Sequence, residues 1–225
     1  MSGTLYLTAT PIGNLKDITL RALEVLRTVD FVMCEDTRRS GLLLAAYEIK
    51  KPLESLHDHT PLLKQERMLE KIKEGASAAL ISDAGTPLIS DPGFPFVRNA
   101  IRTGLRVESI PGASALVSAL VVSGLPVNEF TFVGYLPQKY KARREKLAAL
   151  KAERRTVIFH ESPYRVLKTL RAMLEVLGDR PISVSRELTK KFEETVRGSV
   201  AEILNKFEGR NMRGEFVLVV SGSDR

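Results

Sequence analysis

Tryptophan is absent from the 225-residue sequence, and cysteine occurs once, at position 34. A single cysteine cannot form a disulfide within the chain, and it cannot build a zinc site from several thiolates. Cys34 lies in the apolar run FVMC, which predicts a buried thiol. This cysteine usage indicates a reducing compartment, so we expect a cytoplasmic protein.

Long apolar runs are missing too. No run approaches the roughly 20 residues of a membrane-spanning helix. The first residues, MSGTLYLTATP, lack the basic stretch and apolar stretch of a signal peptide. We therefore expect no membrane partner.

Two phosphate-binding signatures are also absent. The sequence contains neither the GxGxxG pattern of Rossmann dinucleotide sites nor the GxxxxGK[ST] pattern of nucleoside triphosphate sites. Both absences weaken the interpretation of the chain as an ordinary nucleotide-binding domain.

Basic residues are in excess, with 34 Lys and Arg against 27 Asp and Glu, a net charge of +7. The excess concentrates in residues 139–155, KYKARREKLAALKAERR, which hold eight basic residues and two glutamates. A dense basic segment favours a polyanionic partner such as RNA. The alternative is a solvated surface helix, and the pattern predicts a helix over residues 141–152 in either case.

Short apolar segments alternate with longer amphipathic ones through the first half of the chain, which predicts an α/β fold with a mostly parallel sheet. The second half differs, because the strand candidates 181–188 and 192–198 are joined closely enough for an antiparallel hairpin. The sequence therefore predicts two α/β domains, residues 1–123 with a mostly parallel sheet and residues 124–225 with a mixed sheet.

Glycine-bearing loops follow three of the predicted strands: TPIGN (10–14), SDAGTPLISDPG (82–93) and PGASA (111–115). Open α/β sheets bind ligands at the carboxyl ends of their strands. These loops contain no Lys or Arg, so backbone contact with an adenosyl group or a cation suits them better than phosphate binding. The spacing of Asp83 and Asp91 fits neither a helical pair nor a calcium loop, so both are interpreted as loop-shaping residues.

Two further loops, CEDTR (34–38) and LHDHT (56–60), carry polar side chains at predicted strand ends. Asp36 suits either a helix cap or a residue that faces the cleft. His57 and His59 lack a clear third metal ligand, so we expect no metal and consider proton transfer or substrate contact, with a solvated turn as the alternative.

Nine stretches together resemble the tetrapyrrole methylase superfamily of S-adenosylmethionine-dependent methyltransferases. They are TPIGNLKDIT, CEDTR, SLHDH, SDAGTPLISDPG, PGASA, FVGYLP, IFHESPYR, RELTKKFEE and GEFVLVV, and they span nearly the whole sequence. The resemblance implies two α/β domains with the methyl donor, S-adenosyl-L-methionine, in the ligand cleft between them.

The same resemblance implies the donor-binding positions. In the first predicted domain these are Pro11, Ile12, Ala84, Gly85, Thr86, Ile89, Gly112, Ala113, Ser114 and Ala115. In the second they are His160 and Leu188.

Within the superfamily the closer resemblance is to enzymes that methylate the 2′-hydroxyl of a cytidine in 16S ribosomal RNA. It implies that the partner is 16S rRNA or the small ribosomal subunit and that the enzyme forms a homodimer. A ribose hydroxyl is a weak acid, so a general base would assist. The candidates are Glu35, Asp36, His57 and His59, of which Asp36 and His57 are the predicted catalytic residues.

Two alternative functions stay open from the sequence. One is methylation of a tetrapyrrole or another small molecule by the same fold. The other is a non-catalytic RNA-binding or assembly factor that retains a donor pocket.

Overall fold

The computed structural model describes residues 2–223, which form two compact units that divide between Ser114 and Ala115. The sequence pattern placed this boundary after residue 123, at the other end of a helix that spans Ala115–Val121. Among residues 2–223, no helix combines the length and the apolar composition that crossing a bilayer requires.

The first unit is built on a five-stranded sheet in which every paired strand is parallel. The strands are β1 (Thr4–Thr8), β2 (Phe31–Cys34), β3 (Leu53–Ser55), β4 (Ala78–Ile81) and β5 (Arg106–Ile110), in the spatial order β3-β2-β4-β1-β5. The prediction of a parallel first sheet is confirmed.

Four helices accompany this sheet: α1 (Leu20–Thr28), α2 (Thr37–Ala46), α3 (Leu62–Lys73) and α4 (Phe94–Arg102). They cover both faces, because alternate residues of β2 enter two different apolar clusters. Phe31 and Met33 pack in one cluster, and Val32 and Cys34 pack in the other. A strand buried on both faces is typical of parallel sheets. The Cys34 thiol is fully buried, as predicted.

The second unit begins with helix α5 (Ala115–Val121) and contains a five-stranded mixed sheet. Its strands are β6 (Phe130–Tyr135), β7 (Thr156–Glu161), β8 (Pro181–Arg186), β9 (Glu194–Ser199) and β10 (Phe216–Val220), in the order β6-β7-β10-β8-β9. Only the β6–β7 pair is parallel. The predicted antiparallel hairpin is present as the β8–β9 pair, so the mixed second sheet is confirmed.

Three more helices complete this unit: α6 (Tyr140–Ala148), α7 (Val166–Leu177) and α8 (Val200–Phe207). A single apolar cluster joins the sheet to α7 and α8, with Phe159, Leu170 and Phe207 among its buried members. Helix α6 ends at Ala148, so only the first half of the basic segment 139–155 is helical.

Candidate active site

The carboxyl ends of the five parallel strands meet at one edge of the first sheet. The loops after β1, β4 and β5 carry the predicted donor-binding residues, and the loops after β2 and β3 carry the predicted catalytic ones. Because the order is β3-β2-β4-β1-β5, the three glycine-bearing loops are neighbours, and the CEDTR and LHDHT loops lie beside them. The topology therefore assembles five separate sequence motifs at the edge where α/β sheets bind ligands.

Hydrogen bonds fix the three glycine-bearing loops to one another. Thr10 and Gly85 form an isolated antiparallel bridge, and the buried Thr10 hydroxyl donates to the Ser82 carbonyl at 3.0 Å. The Thr86 hydroxyl donates to the Ala113 carbonyl at 3.2 Å. These bonds leave little freedom in the backbone of the candidate donor site.

Two glycines in these loops are required by space and by conformation. Gly85 has φ +88°, and a Cβ there would lie 3.2 Å from Ile12 Cγ2. A Cβ at Gly112 would lie 2.9 Å from Ala9 Cβ, closer than side chains pack. The glycines therefore allow the loops after β1, β4 and β5 to pack against one another.

Asp83 connects the loop after β4 to the loop after β2. Its carboxylate accepts from the Asp36 backbone N–H at 3.4 Å and pairs with Arg39 at 3.4 Å. These contacts support its interpretation as a loop-shaping residue.

Glu35 and Asp91 line the same small cavity beneath the 82–93 loop. Burial raises the pKa of both carboxyl groups, and the charge of Asp83 raises both pKa values further. A carboxylate with a raised pKa is a stronger base, and crowded negative charge at the site attracts a cation. The sequence analysis interpreted Asp91 only as a loop residue, and no spacing rule would have revealed its partial burial beside Glu35.

Asp36 is the N-cap of α2. Its carboxylate accepts from the backbone N–H of Arg38 at 2.9 Å and pairs with the Arg38 guanidinium at 3.3 Å. The hydrogen bond from the Arg38 backbone, followed by the one from its side chain, lowers the pKa of Asp36. Both interactions favour the ionised cap over a carboxyl that accepts a proton.

His57 lies exposed in the turn after β3. Its backbone N–H donates to the Thr60 hydroxyl at 2.8 Å, and its Nδ1 accepts from the backbone N–H of His59 at 3.2 Å. An imidazole that accepts at Nδ1 carries its proton on Nε2 in the neutral form. In this geometry neutral His57 therefore offers a hydrogen-bond donor to a substrate.

The remaining donor-binding positions belong to the second unit. Ala115 begins α5, His160 lies in β7 and Leu188 follows β8. Strand β10 lies between β7 and β8, and its first residues pair with both: Val217 with His160 and Phe216 with Arg186. Leu188 follows Arg186 by two residues, so His160 and Leu188 lie at the same end of this sheet. Burial lowers the pKa of His160, whose ring forms T-shaped pairs with the rings of Phe132 and Tyr135, at centroid distances of 5.1 Å and 5.6 Å.

The chemistry of the first-unit loops fits S-adenosylmethionine. Pro11 and Ile12 are buried apolar residues, Ile89 is an exposed apolar residue, and the same loops carry the small residues Ala84 and Ala113. Such a surface suits an adenosine. Burial, and then the negative charges of Asp83 and Asp91, raise the pKa of Glu35, and these carboxylates suit the positive sulfonium and amino groups of the donor.

Sequence reasoning did not identify one buried polar group in the second unit. The Glu161 side chain is completely buried, pairs with Arg165 at 3.2 Å and accepts from the Thr169 hydroxyl at 2.6 Å. Arg165 also donates to the Leu136 carbonyl, which ties the loop after β6 to the loop after β7. Glu161 ends β7 and Arg165 is the N-cap of α7, so the pair is joined by a strand-to-helix turn and no helical or strand periodicity in the sequence indicated it.

Known proteins resemble this chain over its whole length. The family described as Tetrapyrrole (Corrin/Porphyrin) Methylases matches residues 4–204. Ribosomal RNA small subunit methyltransferase I from Haemophilus influenzae is 49% identical over 229 residues, which cover 100% of this chain and 81% of that protein. The protein of the same name from Thermotoga maritima is 47% identical over 222 residues, which cover 99% of this chain and 100% of that protein.

A solved structure shares the fold at much lower sequence identity. Uroporphyrin-III-C-methyltransferase from Thermus thermophilus is 22% identical, with a TM-score of 0.67, and the match covers 97% of this chain and 94% of that one. The structural match shows the two-unit α/β fold. The family match over residues 4–204 and the relatives that are 47–49% identical mean that this chain belongs to the tetrapyrrole methylases and is an S-adenosylmethionine-dependent methyltransferase.

Proposed function

We propose that the enzyme transfers a methyl group from S-adenosylmethionine to the 2′-hydroxyl of a cytidine in 16S ribosomal RNA. The observation that carries this proposal is the 47–49% identity, over essentially the entire chain, to proteins named ribosomal RNA small subunit methyltransferase I. A substrate of this kind also implies a cytoplasmic enzyme. The net charge of +7 agrees with an RNA substrate.

The donor site is proposed at the carboxyl edge of the first sheet. Backbone groups of residues 84–86 and 112–114, with Pro11, Ile12 and Ile89, would hold S-adenosylmethionine. The donor contacts that the resemblance implies at Ala115, His160 and Leu188 stay predictions. When bound, the donor supplies an activated methyl group. The protein then has mainly to position the acceptor hydroxyl and exclude water.

We propose Glu35 as the acceptor for the proton of the ribose hydroxyl. In the transfer, the hydroxyl oxygen forms a bond to the methyl carbon, the carbon–sulfur bond breaks, and the hydroxyl proton passes to a base. A raised pKa makes the Glu35 carboxylate the stronger base of the two acids after β2. Asp36 and His57 remain in the proposed site, Asp36 as the cap that fixes the start of α2 and His57 as a donor to the RNA.

The small-molecule alternative has less support. The tetrapyrrole-methylating structure is only 22% identical to this chain, so its likeness extends to the fold and not to the substrate. In the proposed enzyme, the loops after β2 and β3 carry the charged residues that a ribose acceptor needs.

The decisive experiment incubates the protein with radiolabelled S-adenosylmethionine and either naked 16S RNA, intact small subunits or uroporphyrinogen. We expect label in RNA, on a ribose, and mapping should place it at a cytidine. Label in the tetrapyrrole and none in RNA would refute the proposal. Donor binding without transfer to any acceptor would instead favour a non-catalytic RNA-binding factor. The predicted homodimer is tested separately by light scattering of the same protein.

A further inference from the structure

A groove of about 870 Å³ lies between α6 and α7 of the second unit. Its lining includes the loops that follow β6 and β7, two neighbouring parallel strands, and the facing sides of the two helices. Four cations and one carboxylate line it: Arg143, Arg165, Lys168, Arg171 and Glu175. We call this concavity the α6–α7 groove, and its positive charge suits an anionic ligand.

The single carboxylate of the groove is already neutralised by its neighbours. Glu175 accepts from the Tyr140 hydroxyl at 3.1 Å and pairs with Arg144 at 3.1 Å. Lys168, in contrast, is exposed and pairs with no carboxylate of residues 2–223. Arg165 pairs with Glu161 and Arg171 pairs with Glu208, so the net positive charge of the groove comes from Arg143 and Lys168.

Arg143 is a buried cation with an unused donor. Only 5% of the residue is exposed, and its guanidinium donates through Nη1 to the Gln138 carbonyl at 3.3 Å. Its buried Nε finds no hydrogen-bond acceptor within the described part of the chain. An unpaired buried charge is costly, and an anion in the groove would lower that cost.

The starts of α6 and α7 both lie beside the groove, since Tyr140 and Arg165 line it. The N-cap residues are Lys139 for α6 and Arg165 for α7, and neither helix has a side-chain cap hydrogen bond or an acidic residue in its first turn. A cation at the positive end of a helix is unfavourable, whereas an anion there is stabilised by the unpaired backbone N–H groups. The buried Glu161 carboxylate already pairs with Arg165 at the start of α7, so the start of α6 is the one that favours a phosphate ligand in the groove.

Aromatic side chains distinguish the type of phosphate ligand. Tyr164 is 88% exposed and Tyr140 is 55% exposed, and both line the groove. Exposed aromatic faces beside cations are the arrangement by which proteins stack unpaired bases while holding the backbone. A duplex would hide its base faces, so the combination favours a single strand.

We propose that the α6–α7 groove binds a single-stranded segment of the RNA substrate, with a base on Tyr164 and phosphates near Lys168 and Arg143. This inference rests on the proposed function, because it assumes that the acceptor is RNA. It assigns the RNA contact to the groove and not to the whole basic segment 139–155. Within that segment Arg155 pairs with Glu153 at 2.7 Å and Arg144 pairs with Glu175, so both are partly neutralised.

The test measures binding of a fluorescently labelled single-stranded oligoribonucleotide from 16S RNA by anisotropy at several salt concentrations. Tyr164→Ala should weaken binding roughly tenfold, whereas Tyr164→Phe keeps the ring and should bind as the unaltered protein does. Lys168→Glu should weaken binding and reduce the slope of log K against log salt by roughly 0.7 or more. Lys206→Glu makes the same charge change on an exposed residue of α8 outside the groove and should have little effect.

Tyr164 and Lys168 are both exposed, so their variants should fold, and thermal unfolding checks this. Tyr164→Ala and Lys168→Glu proteins that bind RNA no worse than Lys206→Glu would overturn the proposal. A competition experiment with polyglutamate gives a second way to overturn it. If polyglutamate displaces RNA equally well from the unaltered protein and from Tyr164→Ala, the groove favours an acidic protein partner over RNA. If the groove variants lose RNA binding but the unaltered protein transfers no methyl group to 16S RNA, the proposed function fails while the groove assignment stands.

Discussion

Thr10 and Gly85 exchange two backbone hydrogen bonds, from the Thr10 N–H to the Gly85 carbonyl at 2.9 Å and from the Gly85 N–H to the Thr10 carbonyl at 3.1 Å. They join the loops that follow β1 and β4, which are adjacent in the sheet. The pairing depends on a backbone conformation at Gly85 that side chains disfavour. The geometry of the donor site therefore depends on a residue that has no side chain.

Gly85→Ala should lower both stability and donor affinity. The positive φ alone costs roughly 1–2 kcal/mol, and contact with Ile12 adds to this cost. Gly104→Ala is a matched control, because Gly104 has φ +78° with no atom within 4 Å of a Cβ. Urea denaturation should show a loss for both variants, but titration calorimetry should show weaker S-adenosylmethionine binding only for Gly85→Ala. Equal donor affinity in the two variants would contradict the assignment of this loop.

Glu35→Gln should reduce kcat by a factor of roughly 10²–10⁴, the range typical of a lost general base. The amide keeps the size of the side chain but cannot accept the proton. S-adenosylmethionine affinity should change much less than kcat. The pH dependence of kcat that the Glu35 carboxyl causes in the unaltered enzyme should be absent from the variant. Activity close to that of the unaltered enzyme would remove Glu35 from the proton-transfer step.

Asp36→Asn tests whether Asp36, the neighbour of Glu35, acts as a helix cap or as the general base. Asparagine caps helices about as well as aspartate, so the free energy of unfolding should change by less than about 1 kcal/mol. If Asp36 acts through the cap, kcat should also be largely retained. A large loss of kcat in a stable Asp36→Asn protein would restore Asp36 as the base and displace Glu35.

His57→Ala should greatly reduce kcat while folding and donor binding remain intact. The side chain is exposed, so its removal costs little packing, but it removes the Nε2 donor proposed to contact the RNA. Activity is compared with circular dichroism and donor binding of the same preparation. Unchanged activity would exclude His57 from the site.

Asp91→Asn should stabilise the protein at neutral pH and lose this advantage in acid. Burial raises the pKa of Asp91, with Asp83 adding to the effect, so the folded protein holds the Asp91 proton more tightly than the unfolded chain does. The stability that this proton provides is present below the unfolded pKa and is lost as pH rises through the folded pKa. Urea denaturation at several pH values checks the sign. A variant that is less stable than the unaltered protein at neutral pH would show that the charged Asp91 is stabilising.

Much of the fold was predictable because local patterns and topology agree. The structure confirms the apolar strand FVMC, the hairpin of β8 and β9, and the alternation of strands with helices. The candidate site was less predictable. Asp36 serves as a cap, which its sequence position allowed but did not distinguish from catalysis. The α6–α7 groove joins Arg143 to Lys168 across two helices, and no motif spans that distance.

Removing one partner of the buried Glu161–Arg165 ion pair should lower the free energy of unfolding more than removing the charges of both partners. Arg165→Met leaves the fully buried Glu161 carboxylate with hydrogen bonds but no cation, which should cost roughly 3–5 kcal/mol. The double variant Glu161→Gln with Arg165→Met removes both charges and should cost less than Arg165→Met alone, because no uncompensated charge stays buried. Urea denaturation of the four proteins in this cycle gives the coupling energy. Additive losses would mean that solvent or the Thr169 hydroxyl already stabilises the Glu161 charge, so that Arg165 would act mainly by holding the loop after β6.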